Sequence, residues 1–414
     1  MPKKWAHAYF LTAKKWVRLW PLCFRHLDMK PTNTIMSSYG TTVFTVMSQL
    51  AQEHDAINLG QGFPDQDGPR DIRQKAADAM IDGPNQYPPM MGVPELRQAV
   101  ADANKRFYGI EVDWATQVMV TSGATEALAN CLLGLINPGD EVVMIEPLYD
   151  CYLPMVQRAG GVAKLVRIEP PEWKLPRQQL ADAFSDKTKL ILLNSPHNPA
   201  GKVFDADELA FIAGLVEKYD AYAVCDEVYE HLLFDGRKHI PLMTLPGMAE
   251  RCLRIGSAGK TFSLTGWKIG YITGAAELLS SVAKTHQFNT FTTPPGTQLA
   301  VAYGLAKDDA YFNTLSADLQ ARRDQLSRGL QKIGFETMES EGTYFLTVDF
   351  RPLGFNGDDI EFCRHITTQA GVAAVPVSAF YSQADVNHFV RFCFCKGDAL
   401  LDQALERLSK HFST

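Results

Sequence analysis

Between residues 118 and 272, short apolar segments alternate with segments of helical character, and most of the apolar segments end in small or polar residues. The apolar segments span 118–121, 141–145, 189–193, 221–225, 252–255 and 267–272. Apolar runs of this length are typical of strands that are buried on both faces. The pattern therefore predicts an α/β fold in which a mostly parallel sheet is sandwiched by helices.

The chain is long enough for two domains. With 414 residues it exceeds the usual size of a single hydrophobic core, and 46% hydrophobic residues are sufficient to bury two. We predict a large domain over 58–309 and a smaller α+β domain built from 33–57 and 310–414. The smaller domain has predicted strands at 343–350, 372–377 and 389–394 and predicted helices at 311–333, 358–370 and 398–412.

Composition excludes several classes of partner. The net charge of −7 argues against nucleic-acid binding, and no run of eighteen uncharged apolar residues predicts a membrane span. The eight cysteines form no CxxC pair and several lie in apolar runs, so they are interpreted as reduced thiols of a cytoplasmic protein. No metal ion is expected.

Residues 1–32 form a predicted N-terminal extension that is not part of the fold. Residues 1–30 carry seven lysines and arginines against one aspartate, with aromatic residues that include Trp5, Phe10, Trp16 and Trp20 between them. Three interpretations stay open: an extension that is disordered or lies upstream of a translation start at Met29 or Met36, an organelle-targeting segment, or an interaction arm.

Lys260 is the predicted catalytic group. It lies among the small residues of 257–261, and Lys268 follows two turns of chain later. A lysine amine forms a Schiff base only while it is partly neutral, and burial beside a second cation such as Lys268 lowers its pKa. Ser257 and the backbone at Gly259 could hold a phosphate ester nearby. The alternative is a pair of solvated surface lysines around a turn.

Other candidates lie where predicted strands end. The segment 122–125 joins a strand to a helix start, which is suited to an anion. Tyr149 follows the next strand, Asn198 lies between two prolines, and Asp226 ends a central strand where a carboxylate is costly to bury without a cation. Tyr229, one helical turn later, would share its side. His197 is interpreted as structural.

Three further positions are candidates for binding a ligand. Gly62 lies in a glycine-rich loop whose bare backbone could face a ligand, and Tyr87 lies in a rigid loop beside two prolines. Arg391 interrupts an apolar run at 389–394. A charge in that setting is either a sheet-edge residue that reaches water or a buried anion receptor, and the sequence does not decide between them.

Three motifs occur in a fixed order: NSPHNPAGKVF at 194–204, CDEVYEH at 225–231 and SAGKTF at 257–262. With the segments around them, residues 33–414 resemble the fold-type-I class I/II aminotransferases, which depend on pyridoxal 5′-phosphate. They look most like the branch that contains kynurenine aminotransferase, glutamine transaminase K and bacterial methionine aminotransferases. Many family members have arginine where this chain has Lys268. Lysine keeps the positive charge but lacks the guanidinium that binds an anion through two parallel N–H groups.

The resemblance implies roles for these residues. Lys260 would hold the cofactor as an aldimine and then move the substrate Cα proton, and Asp226 would keep the ring nitrogen protonated. The residues implied to bind the cofactor are Ala124, Thr125, Ser257 and Lys268 at the phosphate, Tyr149 stacked on the ring, Asn198 and Tyr229 at its 3′ oxygen, and Tyr87 at the phosphate of the neighbouring subunit.

The resemblance also implies a homodimer with shared sites and a binding site for an amino acid and a 2-oxo acid. Arg391 would bind the substrate carboxylate, helped by Gly62 and Asn198. Dicarboxylate-specific relatives use a second arginine before an Asn-Pro-Pro-like turn, and the matching segment 287–295 has no arginine or lysine. We therefore expect methionine, glutamine, aromatic or kynurenine-like donors. A cysteine-conjugate β-lyase and a non-catalytic module that senses the cofactor remain alternatives.

Overall fold

The computed structural model describes residues 30–413, so most of the predicted N-terminal extension, up to residue 29, lies outside the described residues. Residues 30–39 belong to a separate compact unit and contain the short helix α1, Thr34–Ser37. Asn33 begins this helix because its Oδ1 accepts hydrogen bonds from the backbone N–H groups of Ile35 and Met36. The other unit begins at Gly40.

The helices of this second unit follow local sequence signals. They are α2 (Val43–Glu53), α3 (Arg70–Asp82), α4 (Pro94–Tyr108), α5 (Trp114–Gln117), α6 (Gly123–Leu135), α7 (Tyr152–Arg158), α8 (Arg177–Ala183), α9 (Ala206–Lys218), α10 (Ala258–Thr261), α11 (Ala276–Asn289), α12 (Pro295–Leu305), α13 (Asp309–Ile333), α14 (Asp359–His365) and α15 (Asp398–Phe412). Helix α4 begins with a proline and ends at Gly109 with φ +69°, and α9 begins with a capping box of Asp205 and Glu208.

The strands are short. They are β1 (Ile57–Asn58), β2 (Val118–Thr121), β3 (Glu141–Glu146), β4 (Val162–Arg167), β5 (Thr188–Asn194), β6 (Tyr222–Asp226), β7 (Cys252–Ser257), β8 (Gly270–Gly274), β9 (Glu336–Thr337), β10 (Phe345–Asp349), β11 (Val372–Ala373), β12 (Val375–Pro376) and β13 (Phe389–Cys393).

Within residues 40–413, the large sheet has seven strands in the order β2-β8-β7-β6-β5-β3-β4. The pairs from β7 to β4 are parallel, and β8 is antiparallel to both of its neighbours. The predicted mostly parallel α/β sheet is therefore confirmed, with β8 as the exception. Because successive side chains of a strand point to opposite faces, Leu190 and Leu192 join one hydrophobic core while Ile191 and Leu193 join another.

A smaller antiparallel sheet has the order β12-β13-β10-β9, and β1 pairs in parallel with β11. This sheet brings β13, which carries Arg391, beside β10. The polypeptide boundaries of the large domain, 58–309, and of the small domain, 33–57 with 310–414, stay a prediction.

Several predicted elements differ from the structure. The strand predicted at 372–377 is wrong as one element, because β11 pairs with β1 whereas β12 pairs with β13. The strand predicted at 267–272 begins only at Gly270, since Lys268 has a left-handed backbone with φ +54°. Strand β4 was not predicted, and helical structure begins at α11 rather than near residue 298.

Candidate active site

A cavity of about 370 Å³ lies where β3, β5, β6 and β7 end. Loops that follow parallel strands meet at one edge of the sheet, so residues far apart in sequence converge there. Of the site residues predicted from the sequence, the cavity wall contains Gly62, Ala124, Thr125, Tyr149, Asn198, Asp226, Tyr229, Ser257, Lys260, Lys268 and Arg391. Tyr87 lies elsewhere: its side chain is 83% exposed and its ring meets that of Phe291 edge-on, 5.4 Å between centroids.

Lys260 is held at the junction of β7 and α10. Its Nζ donates a hydrogen bond of 2.7 Å to the hydroxyl of Tyr344. Burial lowers the pKa of the Lys260 amine, and the cation that lowers it further is Arg391. The sequence pointed to Lys268 as that cation, but Lys268 is not among the groups with the largest effects on the pKa of Lys260, and its Nζ lies near Gly123 at the start of α6.

The anion-binding end is built from bare backbone and the start of a helix. Gly123 begins the 13-residue helix α6 with φ +75°. A Cβ added to Gly270 would lie 2.6 Å from the carbonyl carbon of Gly123, so only glycine allows this approach. Lys268 Nζ lies 3.3 Å from where a Gly123 Cβ would be. Helix N–H groups, the helix dipole and a lysine therefore face the same space, with the Ser257 hydroxyl beside them.

Asp226 closes the other end of the cavity. It ends β6, is 4% exposed and accepts a hydrogen bond of 2.6 Å from the Tyr152 hydroxyl at Oδ2. Burial raises the pKa of Asp226, and the Tyr152 hydrogen bond and the charge of Lys260 oppose that rise. No lysine, arginine or histidine among the described residues forms a salt bridge with it. Its protein partners are the Tyr152 hydroxyl and, at 3.4 Å, the Val228 N–H, so a cationic group of a ligand would be its first charged partner.

The segment after Asp226 is held in place by buried ion pairs. Residues 227–231 form successive turns rather than the predicted helical turn, with a hydrogen bond of 2.9 Å from Glu230 N to Glu227 O. Both glutamates are buried and pair with Arg254 of β7. Because these ion pairs are shielded from water, they hold the backbone that carries Asp226 and Tyr229.

Arg391 is buried, which decides between the two interpretations of its sequence. Its side chain on β13 is 1% exposed, with Nη1 donating to Asn198 Oδ1 at 2.9 Å and Nη2 donating to Gly60 O at 2.8 Å. Its guanidinium carbon lies 3.8 Å from the centre of the Phe345 ring, and Nε has no partner among the described residues. No carboxylate of residues 30–413 pairs with it. The geometry is that of an anion receptor.

Sequence reasoning missed several parts of the wall. These are Thr42, Phe44, Gln61, Asp150, Tyr152 and Phe345, together with Tyr344 against Lys260. Tyr152 could have been predicted from the sequence. It lies three residues beyond Tyr149, at the start of α7, and this spacing places both side chains on the same side of the chain. Tyr344 had none, since 84 residues separate it from Lys260. His197 is buried outside the wall, as its structural interpretation requires.

A family model, curated relatives and a solved structure all indicate the same family. Residues 54–408 match the family model described as aminotransferase class I and II. The probable N-succinyldiaminopimelate aminotransferase DapC of Mycobacterium tuberculosis is 47% identical over 382 residues, covering 90% of this chain and 96% of that protein. The kynurenine–oxoglutarate transaminase of Dictyostelium discoideum is 39% identical over 416 residues, covering 90% and 95%.

A solved structure from Escherichia coli, identified as a methionine aminotransferase, matches with a TM-score of 0.89 at 38% identity, covering 92% of this chain and all of that one. The resemblance to the branch of kynurenine and methionine aminotransferases is therefore confirmed.

Proposed function

Because the chain belongs to the class I and II aminotransferases, which depend on pyridoxal 5′-phosphate, we propose that it transfers the amino group of methionine, glutamine, an aromatic or a kynurenine-like amino acid to a 2-oxo acid. The observation that carries the proposal is the shared cavity of Lys260 and Arg391. It combines a lysine amine of lowered pKa with a buried arginine that lacks a carboxylate partner in the described chain.

The cavity fits the cofactor on its own geometry. The glycine cradle at Gly123 and Gly270 with Lys268 accommodates a phosphate, and the buried carboxylate of Asp226 lies where a protonated ring nitrogen would satisfy it. When bound, pyridoxal 5′-phosphate supplies an electron-withdrawing ring that accepts the electron pair left at the substrate Cα. We assign its phosphate to Ser257, Lys268 and the backbone of Ala124 and Thr125. Tyr149 would pack on the ring, and Asn198 and Tyr229 would bind its 3′ oxygen.

Arg391 binds the substrate α-carboxylate. Its Nε–H and the unused N–H groups of its fork are available, while Asn198 and Gly60 fix the plane of the guanidinium. Gly62 forms the adjacent wall, where a Cβ would lie 2.6 Å from the Phe345 ring. A carboxylate bound there lies in the same cavity as the Lys260 amine.

Lys260 carries the proton. Burial and the charge of Arg391 favour the neutral amine, so Lys260 can take the proton from the substrate Cα and hold it on Nζ. Asp226 would stay ionised when paired with the ring nitrogen and would keep that nitrogen protonated.

The side-chain specificity follows from charge. The cations of the cavity wall are Lys260, Lys268 and Arg391, and each already has an assigned task. The segment 287–295 adds neither lysine nor arginine. A bound aspartate would leave its side-chain carboxylate unpaired, at a cost of about 2 kcal/mol or more.

A second candidate substrate is N-succinyldiaminopimelate, favoured by the 47% identical relative that carries its name. This substrate has carboxylates beyond the one at its reacting carbon. The additional carboxylates need cations that the described wall of one chain does not supply. The β-lyase alternative uses the same residues and differs only in the fate of the substrate after Cα deprotonation.

The test is a single-turnover screen that follows the cofactor absorbance. Methionine, phenylalanine, kynurenine, glutamine, aspartate and N-succinyldiaminopimelate serve as donors, with the Lys260→Ala variant as the control for turnover. We expect methionine and aromatic donors to exceed aspartate in kcat/KM by about thirtyfold or more, which corresponds to roughly 2 kcal/mol. Aspartate or N-succinyldiaminopimelate as the best donor would refute the specificity. Pyruvate and ammonia released from a cysteine conjugate without an oxo acid would indicate the lyase.

We further propose a cytoplasmic homodimer with shared sites. The exposed aromatic residues Tyr87 and Phe288, 83% and 87% exposed, support a subunit interface, and Tyr87 would reach the partner's phosphate. Inactive Tyr87→Ala and Lys260→Ala subunits should regain activity on mixing, because one hybrid site is then intact. No recovery in dimers of proven mixed composition would contradict shared sites, and cell fractionation tests the compartment.

Among residues 30–413, no helix is long and apolar enough to cross a membrane.

A further inference from the structure

Tyr344 connects Lys260 to the loop that contains Gly62, here called the substrate loop, through two hydrogen bonds. Lys260 Nζ donates to the Tyr344 hydroxyl oxygen at 2.7 Å, and that hydroxyl donates its own proton to Gly62 O at 2.6 Å. The tyrosine is 2% exposed, so its side chain is shielded from bulk water. Since the hydroxyl proton is committed to Gly62, the oxygen can only accept from the lysine.

This direction of donation has a chemical consequence. A neutral amine that donates one N–H to Tyr344 keeps its lone pair unblocked, and the position of the oxygen fixes where that lone pair points. Burial raises the pKa of the Tyr344 phenol well above its usual value. The phenol therefore remains neutral and does not exchange its proton with the amine.

The backbone around Tyr344 is fixed on both sides. Thr343 N donates to Leu232 O at 2.9 Å, and Phe394 N donates to Tyr344 O at 2.9 Å. The Gly62 loop is pressed against this segment, because a Cβ there would lie 3.2 Å from Tyr344 Cε2. The hydroxyl consequently has little freedom to follow the lysine, so it is the lysine that is oriented by the tyrosine.

We propose that Tyr344 is a positioning residue, which aims the Lys260 amine at the substrate Cα and couples its orientation to the substrate loop at Gly62. This inference rests on the proposed role of Lys260 in proton transfer. Tyr344 acts through Lys260 and is not itself an acid or a base.

The test compares Tyr344→Phe with Tyr381→Phe. Tyr381 is the matched control, since its buried hydroxyl also donates to a backbone carbonyl, Ile168 O at 2.7 Å, and takes no part in the proposed chemistry. The first measurement uses cofactor-free protein: acetic anhydride labels Lys260 at a series of pH values, and mass spectrometry of the peptide gives the pKa of the amine.

The hydroxyl oxygen stabilises the ammonium more than the neutral amine, so its removal should lower the pKa of Lys260 by about one unit. Tyr381→Phe should leave that pKa unchanged. In the holoenzyme, Tyr344→Phe should lower kcat roughly tenfold and raise the isotope effect of Cα-deuterated methionine, because one hydrogen bond to the base is lost.

A purely structural tyrosine would lower the melting temperature of both variants without moving the Lys260 titration or the isotope effect, and that result overturns the proposal. If Tyr344→Phe does not fold, 4-fluorophenylalanine placed at 344 fills nearly the same space as tyrosine and removes the hydroxyl. It should then shift the amine pKa in the same direction, and an unchanged pKa would again refute the role. The labelling needs no turnover, so it tests Tyr344 even if the proposed transamination fails.

Discussion

Replacing Arg391 by lysine should keep the charge and remove the fork. In the structure, Nη1 donates one N–H to Asn198 and Nη2 donates one N–H to Gly60. The Nε–H and the second N–H of each terminal nitrogen are left for a carboxylate. A lysine ammonium that retained both protein partners would have one N–H remaining. The Arg391→Lys variant therefore loses one charge-assisted hydrogen bond to the substrate.

Such a bond contributes about 1.5–3 kcal/mol, so kcat/KM for methionine should fall about 10- to 150-fold. The assay pairs methionine with its decarboxylated analogue, 3-(methylthio)propylamine, in single-turnover reactions. The analogue has no carboxylate, and its slow reaction should change less than about threefold. Only the loss of a direct contact between Arg391 and the carboxylate produces this difference.

Arg323→Lys provides the matched control. Arg323 forms a forked pair with Asp235, with Nη1–Oδ2 of 2.6 Å and Nη2–Oδ1 of 3.0 Å, and lies outside the cavity wall. Its replacement should lower the melting temperature and leave kcat/KM for methionine unchanged. If Arg391→Lys retained methionine kcat/KM within about threefold of wild type, the assignment of the carboxylate to Arg391 would be wrong.

Four further predictions follow from the site and its surroundings. Lys260→Ala should fold and bind pyridoxal 5′-phosphate but not turn over; normal turnover in steady-state assays would remove the amine from the mechanism. Asp226→Asn should slow Cα deprotonation by about 3 kcal/mol while cofactor affinity changes little, so an unchanged pre-steady-state rate would contradict the pairing with the ring nitrogen. Burial lowers the pKa of His197 from 6.5 to about 4, so the folded state binds fewer protons than the unfolded state. The contribution of His197 to the free energy of unfolding is complete above about pH 6.5, and about 3 kcal/mol of it is lost as the pH falls towards 4. Measurements of unfolding against pH should show that His197→Gln abolishes this dependence. Deletion of residues 1–30 should leave kcat/KM unchanged, since the family match begins at residue 54, and an inactive truncation would show that the segment is needed.

The sequence by itself determined that the large sheet is mostly parallel and at which edge of it the candidate site lies. Buried strands with continuous apolar runs pair in parallel, and their carboxyl ends meet at one edge. Asp226, Asn198 and Tyr149 each follow such a strand, so their convergence could be predicted from local pattern alone. The resemblance of three motifs predicted the family and its cofactor, and the position of Lys260 among small residues predicted the catalytic amine.

Only the tertiary structure decided which charges are buried and what surrounds them. The local sequence of Arg391 fits a sheet edge as well as a receptor, and its burial depends on Phe345 and Asn198, which are distant in sequence. Arg391, which lowers the pKa of Lys260, lies on β13 of the smaller sheet, and Tyr344, whose hydroxyl accepts from the Lys260 amine, directly precedes β10 of that sheet. Electrostatic and hydrogen-bonding partners are set by distances between elements, which hydrophobic periodicity does not encode.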